Sequence, residues 1–165
     1  MSAITWQGLE KRAEALLQRY REAGLTIVTA ESCTGGLVSG VLTAIPGSSD
    51  VVDRGFVTYT NQAKMDCLGV PMHILDTKGA VSPETAEAMA TGALRASPAS
   101  VSVSVTGVAG PSGGSPEKPV GLVQFGSARR GGKAILREMR FGDLGRTGIR
   151  LAAVDTALTL LEEQL

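Results

Sequence analysis

The sequence predicts an α/β protein, a three-layer α/β/α arrangement with helices on both faces of a mixed five-stranded sheet. In this sheet the first three strands run parallel and the fourth runs antiparallel. Two observations lead there. Short β-branched apolar runs alternate with helical patterns up to about residue 106, so helical crossovers join the first three strands and set them parallel. The fourth strand has no helix before it, and Arg130-Gly131-Gly132-Lys133 turns it straight back into the fifth. It therefore opposes both of its sequence neighbours. A chain of 165 residues, 43% hydrophobic and 19% charged, reads as one globular domain over residues 1–165.

Taken in order, Thr5 to Ala23 is an amphipathic helix with Trp6, Leu9, Ala13, Leu16, Leu17 and Tyr20 on one stripe, Thr5 as N-cap and Gly24 at its end. Thr26 to Ala30 suits a buried strand, and Leu37 to Ile45 a mostly buried helix that stops before Pro46-Gly47. The next strand lies within Val51 to Thr60, from Gly55 onward. It ends at Asn61, which caps a short helix to about Leu68 and puts Lys64 in the first turn. His73 falls in a loop after Gly69-Val70-Pro71. Ser82-Pro83 opens another helix, with Ser as cap and Pro at its first position, fading near Pro98. Ala99 to Thr106 alternates valine with serine, a strand with one apolar and one small polar face. Gly107 to Val120 has no helical pattern and is long for a connector, which favours a functional loop. Gly121 to Arg129 and Ala134 to Phe141 are the last strands, and Thr147 to Glu163 is the last helix.

Composition removes several function classes. Lys plus Arg and Asp plus Glu are 16 each, and aromatics are 4%. Neither a basic face nor a base-stacking surface is expected, so nucleic acid is not a partner. No apolar run is long enough to span a bilayer. Cys33 and Cys67 lie in unrelated contexts with no secretory signal before them, which reads as reduced thiols in a cytoplasmic protein. With one histidine and two cysteines there is no plausible zinc cluster. A Ser-His-Asp triad would have to recruit His73.

Ala30-Glu31-Ser32-Cys33-Thr34-Gly35-Gly36 places a hydroxyl and two glycines where a strand turns into a helix. Either Ser32 is a nucleophile with an oxyanion or phosphate cradle beside it, or Ser32 and Thr34 only cap the helix. In a parallel sheet, ligands bind at the carboxyl ends of the strands. Ser32 to Gly36, Tyr59 to Lys64 and Thr106 to Gly114 all leave those ends, so three loops distant in sequence should meet. Lys64 is then the candidate base, since burial and the positive end of a helix both favour a neutral amine; alone, it reads as a surface lysine. Cys33 is either reactive or a small buried hydrophobe. Arg146 and Arg150, four apart, share a helix face and either hold an anion or are ordinary surface arginines.

The Ser32 motif, Gly55-Phe56-Val57-Thr58-Tyr59-Thr60-Asn61-Gln62-Ala63-Lys64, Gly79-Ala80-Val81-Ser82, Thr106 to Gly114 and Lys118-Pro119-Val120-Gly121 closely resemble the CinA C-terminal domain family, over nearly the whole chain from Leu16. Standalone members are nicotinamide-nucleotide amidases. The resemblance implies hydrolysis of the carboxamide of nicotinamide mononucleotide, with neither metal nor cofactor, by a homo-oligomer. It puts the family's serine on Ser32 and its lysine on Lys64, with Tyr59 and Thr106 lining the site. Thr34, Gly35, Gly36, Asn61, Gly107, Ala109, Gly110, Gly113, Gly114, Arg146 and Arg150 are the candidate substrate-binding positions. Gly142-Asp143-Leu144-Gly145-Arg146 carries two residues more than the family's Gly-Asp-Arg segment. The competing expectation is a regulatory module of the competence/damage-inducible type that binds a nucleotide or a partner without turnover.

Overall fold

The computed structural model describes residues 2–165. Its helices are α1 (Trp6–Ala23), α2 (Leu37–Thr43), α3 (Asn61–Leu68), α4 (Met72–Lys78), α5 (Pro83–Arg95) and α6 (Gly145–Glu162). Its strands are β1 (Ile27–Glu31), β2 (Val52–Val57), β3 (Val101–Gly107), β4 (Leu122–Arg129) and β5 (Ile135–Arg140). They form one mixed sheet in the order β2-β1-β3-β4-β5. β1 lies between β2 and β3 and runs parallel to both, while β4 is antiparallel to β3 and to β5. Among the described residues, no helix is long and apolar enough to cross a membrane.

Side-chain alternation along the strands gives each face its own core. On one face, Ile27, Val101, Val103, Val105, Val123 and Phe125 pack with α1, α2 and α6. Each leucine buried there, such as Leu16 or Leu158, contributes about 2 kcal/mol of transfer free energy. Arg12 of α1 pairs with Asp155 and Glu162 of α6, and the buried Tyr20 hydroxyl donates to Leu161 O at 2.7 Å. These ties fix the helix that carries Arg146 and Arg150.

On the other face α5 lies on β3 and β4 by means of small residues. Ser102 and Ser104, expected as a small polar face, are fully buried. Their hydroxyls donate to Ala90 O (2.8 Å) and Ala86 O (2.6 Å) of α5, which removes the cost of burying them. Gly126 lies opposite Ser104, and a Cβ there would come within 2.6 Å of Ala86 O. A glycine is therefore needed for the helix backbone to approach so closely.

Three local expectations need correction. β2 begins at Val52, not Gly55; as an edge strand it tolerates exposed Asp53 and Arg54, which hid it from the hydrophobic pattern. The α3 cap is Thr60, in extended conformation, whose hydroxyl accepts from Ala63 N–H at 3.1 Å; Asn61 is already helical. His73 lies in α4 and not in a loop, because Pro71 serves as N-cap and a seven-residue helix with only Leu75 buried has no readable period. The cap of α1 at Thr5, its end at Gly24 and the Ser82-Pro83 start of α5 are as expected.

Candidate active site

Ser32 follows the last residue of β1, and its N–H continues the sheet by donating to Val105 O at 2.9 Å. The chain then turns through Gly35 (φ 58°) and Gly36 (φ 101°), left-handed conformations that suit glycine, into α2. Capping by Ser32 or Thr34 is not what starts this helix. Gly36 occupies the N-cap without a side-chain bond. The buried Glu31 carboxylate instead accepts from Val38 N–H (2.8 Å) and Ser39 N–H (3.0 Å). Thr34 is fully buried with its hydroxyl unpartnered.

Lys64 comes to Ser32 from the other side of β1. Parallel pairing sets Glu31 against Val57, and Thr58 N–H donates to Glu31 O at 2.8 Å. The Thr60 cap then starts α3 so that Lys64, 1% exposed, turns inward. Its ammonium donates to Ser32 Oγ at 3.0 Å and to Thr58 O at 2.8 Å. Burial lowers the Lys64 pKa from its usual 10.5 to about 8. The Cys33 thiol, also buried, is pushed up to about 11, first by desolvation, so it stays protonated at neutral pH.

The two groups lie in an open cleft of about 360 Å³. Of the residues the sequence nominated, Ser32, Tyr59, Lys64, Thr106, Gly107, Ala109, Gly110, Gly113 and Arg146 line it. Thr34, Gly35, Gly36, Asn61, Gly114 and Arg150 are outside this lining. Thr106 Oγ1 donates to Ala80 O (2.7 Å), which draws the segment before α5 onto the cleft. Val108 and Ser112, within the Thr106 to Gly114 stretch that the sequence brings to the site, also line it, as do Ala80 and Val81, to which sequence reasoning assigned no site role. Gly79-Ala80-Val81-Ser82 stood out as a motif, and that was the available signal.

The two arginines part company. Arg146 reaches over the mouth, donating to Gly110 O (2.8 Å) and to the exposed Tyr59 hydroxyl (3.1 Å). Arg150 points under the serine turn, with Nε on Cys33 O and Nη2 on Thr34 O, both at 3.1 Å.

The arrangement matches known proteins along its length. A family model, the CinA C-terminal domain, covers residues 9–165. A nicotinamide-nucleotide amidohydrolase PncC of Enterobacter agglomerans is 50% identical over 142 residues, 85% of this chain and 85% of that protein. A CinA-like protein of Synechococcus is 51% identical over 154 residues, 93% of this chain but 37% of that protein. The competence/damage inducible protein CihA of Agrobacterium tumefaciens has a crystal structure that superposes with a TM-score of 0.93 at 55% identity, covering 99% of this chain and 98% of the other. The chain spans only 29% to 38% of the length of the long competence-damage relatives it matches. On these matches and this geometry, the chain belongs to the CinA C-terminal domain family.

Proposed function

We propose that this protein is an amidohydrolase converting nicotinamide mononucleotide to nicotinic acid mononucleotide and ammonia, with Ser32 as nucleophile and Lys64 as its base. One observation carries the reading: a buried lysine amine, its pKa lowered to about 8, sits 3.0 Å from a serine hydroxyl at the floor of a cleft. The amidohydrolase name of the 50% identical Enterobacter agglomerans relative supplies the substrate class.

A serine hydroxyl is a weak nucleophile at neutral pH and needs an adjacent base. The neutral Lys64 amine takes the Ser32 proton as Oγ bonds to the carboxamide carbon. Thr58 O holds the resulting ammonium in place. As the C–N bond breaks, that ammonium returns its proton to the leaving nitrogen and ammonia departs. Water, deprotonated by the same amine, then releases the acid and frees Ser32. For the oxyanion, Gly107 N–H is the favoured donor. Val108 N–H goes to Leu122 O, so strand alternation turns the Gly107 N–H toward the β1 side, where Ser32 lies. Gly35 N–H is already spent on Ser32 O at 3.0 Å. Arg146 and the Gly107 to Gly114 loop take the ribose phosphate, since the guanidinium at the mouth matches an anion.

Residues 1–165 act here as one amidase unit. The free cysteines Cys33 and Cys67 fit a reducing cytoplasm, and a homo-oligomer is the assembly to test by light scattering. Ammonia release from nicotinamide mononucleotide, nicotinamide and the dinucleotide, measured side by side, tests the function. Turnover of the mononucleotide, lost in Ser32→Ala with the melting curve kept, supports it. Binding without ammonia from any of the three would favour the regulatory module instead.

A further inference from the structure

We propose that Glu31 and Arg150 are positioning residues that grip the Ser32 turn by its two polar sides and hold the hydroxyl against Lys64. The proposal rests on the amidase reading above. Glu31 works on N–H groups. Its two carboxylate oxygens take Val38 N–H and Ser39 N–H at 2.8 and 3.0 Å, and so close a ring around residues 32 to 37. α2 has only seven residues and no side-chain cap of its own, so its first turn depends on this outside acceptor. Glu31 is fully buried and makes no ion pair among the described residues. The donors at the positive end of α2 are what compensate its charge.

Arg150 works on carbonyls. From α6, more than a hundred residues away in sequence, it donates to Cys33 O and Thr34 O. Because peptides are planar and trans, fixing those two carbonyls also fixes the N–H groups of Thr34 and Gly35. The backbone of Glu31 extends the grip to the lysine, since Glu31 O accepts from Thr58 N–H and Thr58 O accepts from Lys64. Neither Glu31 nor Arg150 lines the cleft. Their loss should therefore lower the reactivity of the serine without weakening substrate binding, whereas a residue touching substrate would move KM.

The test uses the full chain as wild type, Glu31→Gln and Arg150→Lys. Each is followed by thermal melting, by kcat and KM for ammonia release, and by the rate at which an alkyl fluorophosphonate labels Ser32, read from intact mass. In that labelling the Oγ–P bond forms, fluoride leaves and the serine proton passes to Lys64. Expected in a folded variant is a tenfold or greater fall in both labelling rate and kcat, with KM within twofold of wild type. A folded variant that labels and turns over like wild type, or that changes KM alone, overturns the proposal. If Glu31→Gln does not fold, Arg150→Lys decides; if neither folds, the two residues serve the whole fold and the proposal fails. Wild type that resists the phosphonate overturns the serine chemistry and the positioning role together. Wild type that is labelled but releases no ammonia overturns only the substrate, and the labelling rates still judge the positioning.

Discussion

The two walls of the cleft are built differently. The wall carrying Ser32 and Lys64 is buried and cross-tied: a carboxylate, a guanidinium and the Thr58 carbonyl just past β2 each fix one part of it. The opposite wall, from Gly107 to Val120, is exposed over residues 111–117 and held at a few points. Arg146 grips Gly110 O, Ser115 closes a small turn with Lys118, and the Lys118 amine reaches Lys78 O. Chemistry needs reacting atoms held to within a fraction of an ångström, whereas binding tolerates a wall that yields. The contrast predicts that changes to the first wall act on kcat and changes to the second on KM.

The largest effect should come from Lys64→Met. It should lower ammonia release about a thousandfold or more, as expected on losing the base of a nucleophile pair. Yet the variant should melt higher than wild type at pH 6 to 7. Burial holds the folded-state pKa near 8 against 10.5 when unfolded, so below pH 8 folding carries the cost of a buried ammonium. Between about pH 8 and 10.5 the unfolded chain binds the extra proton, and wild-type stability rises with pH. The advantage of methionine, at most about 3 kcal/mol from the pKa difference and reduced by the lost bonds to Thr58 O and Ser32, should vanish toward pH 10.5. Equal melting temperatures across that range would show that Lys64 is not penalised by burial.

The same pKa sets a smaller effect on wild type. With Lys64 as the proposed base, kcat/KM should climb tenfold per pH unit below about 8 and level off above it, because only a neutral amine can accept the serine proton. A flat profile from pH 6 to 9 would remove Lys64 as the base.

On the yielding wall, Arg146→Ala should raise KM for the mononucleotide by about ten- to a hundredfold, the worth of a charged hydrogen bond, with kcat nearly unchanged. A fall in kcat alone would erase the distinction between the walls. Lys118→Ala should do least, raising KM about two- to fivefold through loss of one loop tie to Lys78 O. No change in the urea midpoint is expected from it, and a large one would mean the loop is part of the core.

What was legible in the chain, and what was not, follows from the range of the interactions. The Ser82-Pro83 helix start, the Thr5 cap, the Gly24 stop and the Ser32-to-Gly36 corner depend on neighbours a few residues apart, so sequence displays them. The meeting of Ser32 and Lys64 was also within reach, because both leave the carboxyl ends of adjacent parallel strands. The Thr60 cap was missed by one residue because Asn61 is an equally good capping type, and only backbone conformation separates them. Helix α4 escaped because it buries a single side chain.

By itself the sequence determined the α/β class and the meeting of the Ser32, Lys64 and Thr106 segments at one sheet edge, since these follow from local pattern and strand-helix alternation. Only the tertiary structure decided that Arg146 faces the cleft while Arg150 holds the serine turn, for the two stand one helical turn apart on α6 with the same side chain. It also decided that Glu31 caps α2 from the end of β1. Both outcomes hang on where a distant backbone places its free carbonyls and N–H groups, and residue type carries no record of that.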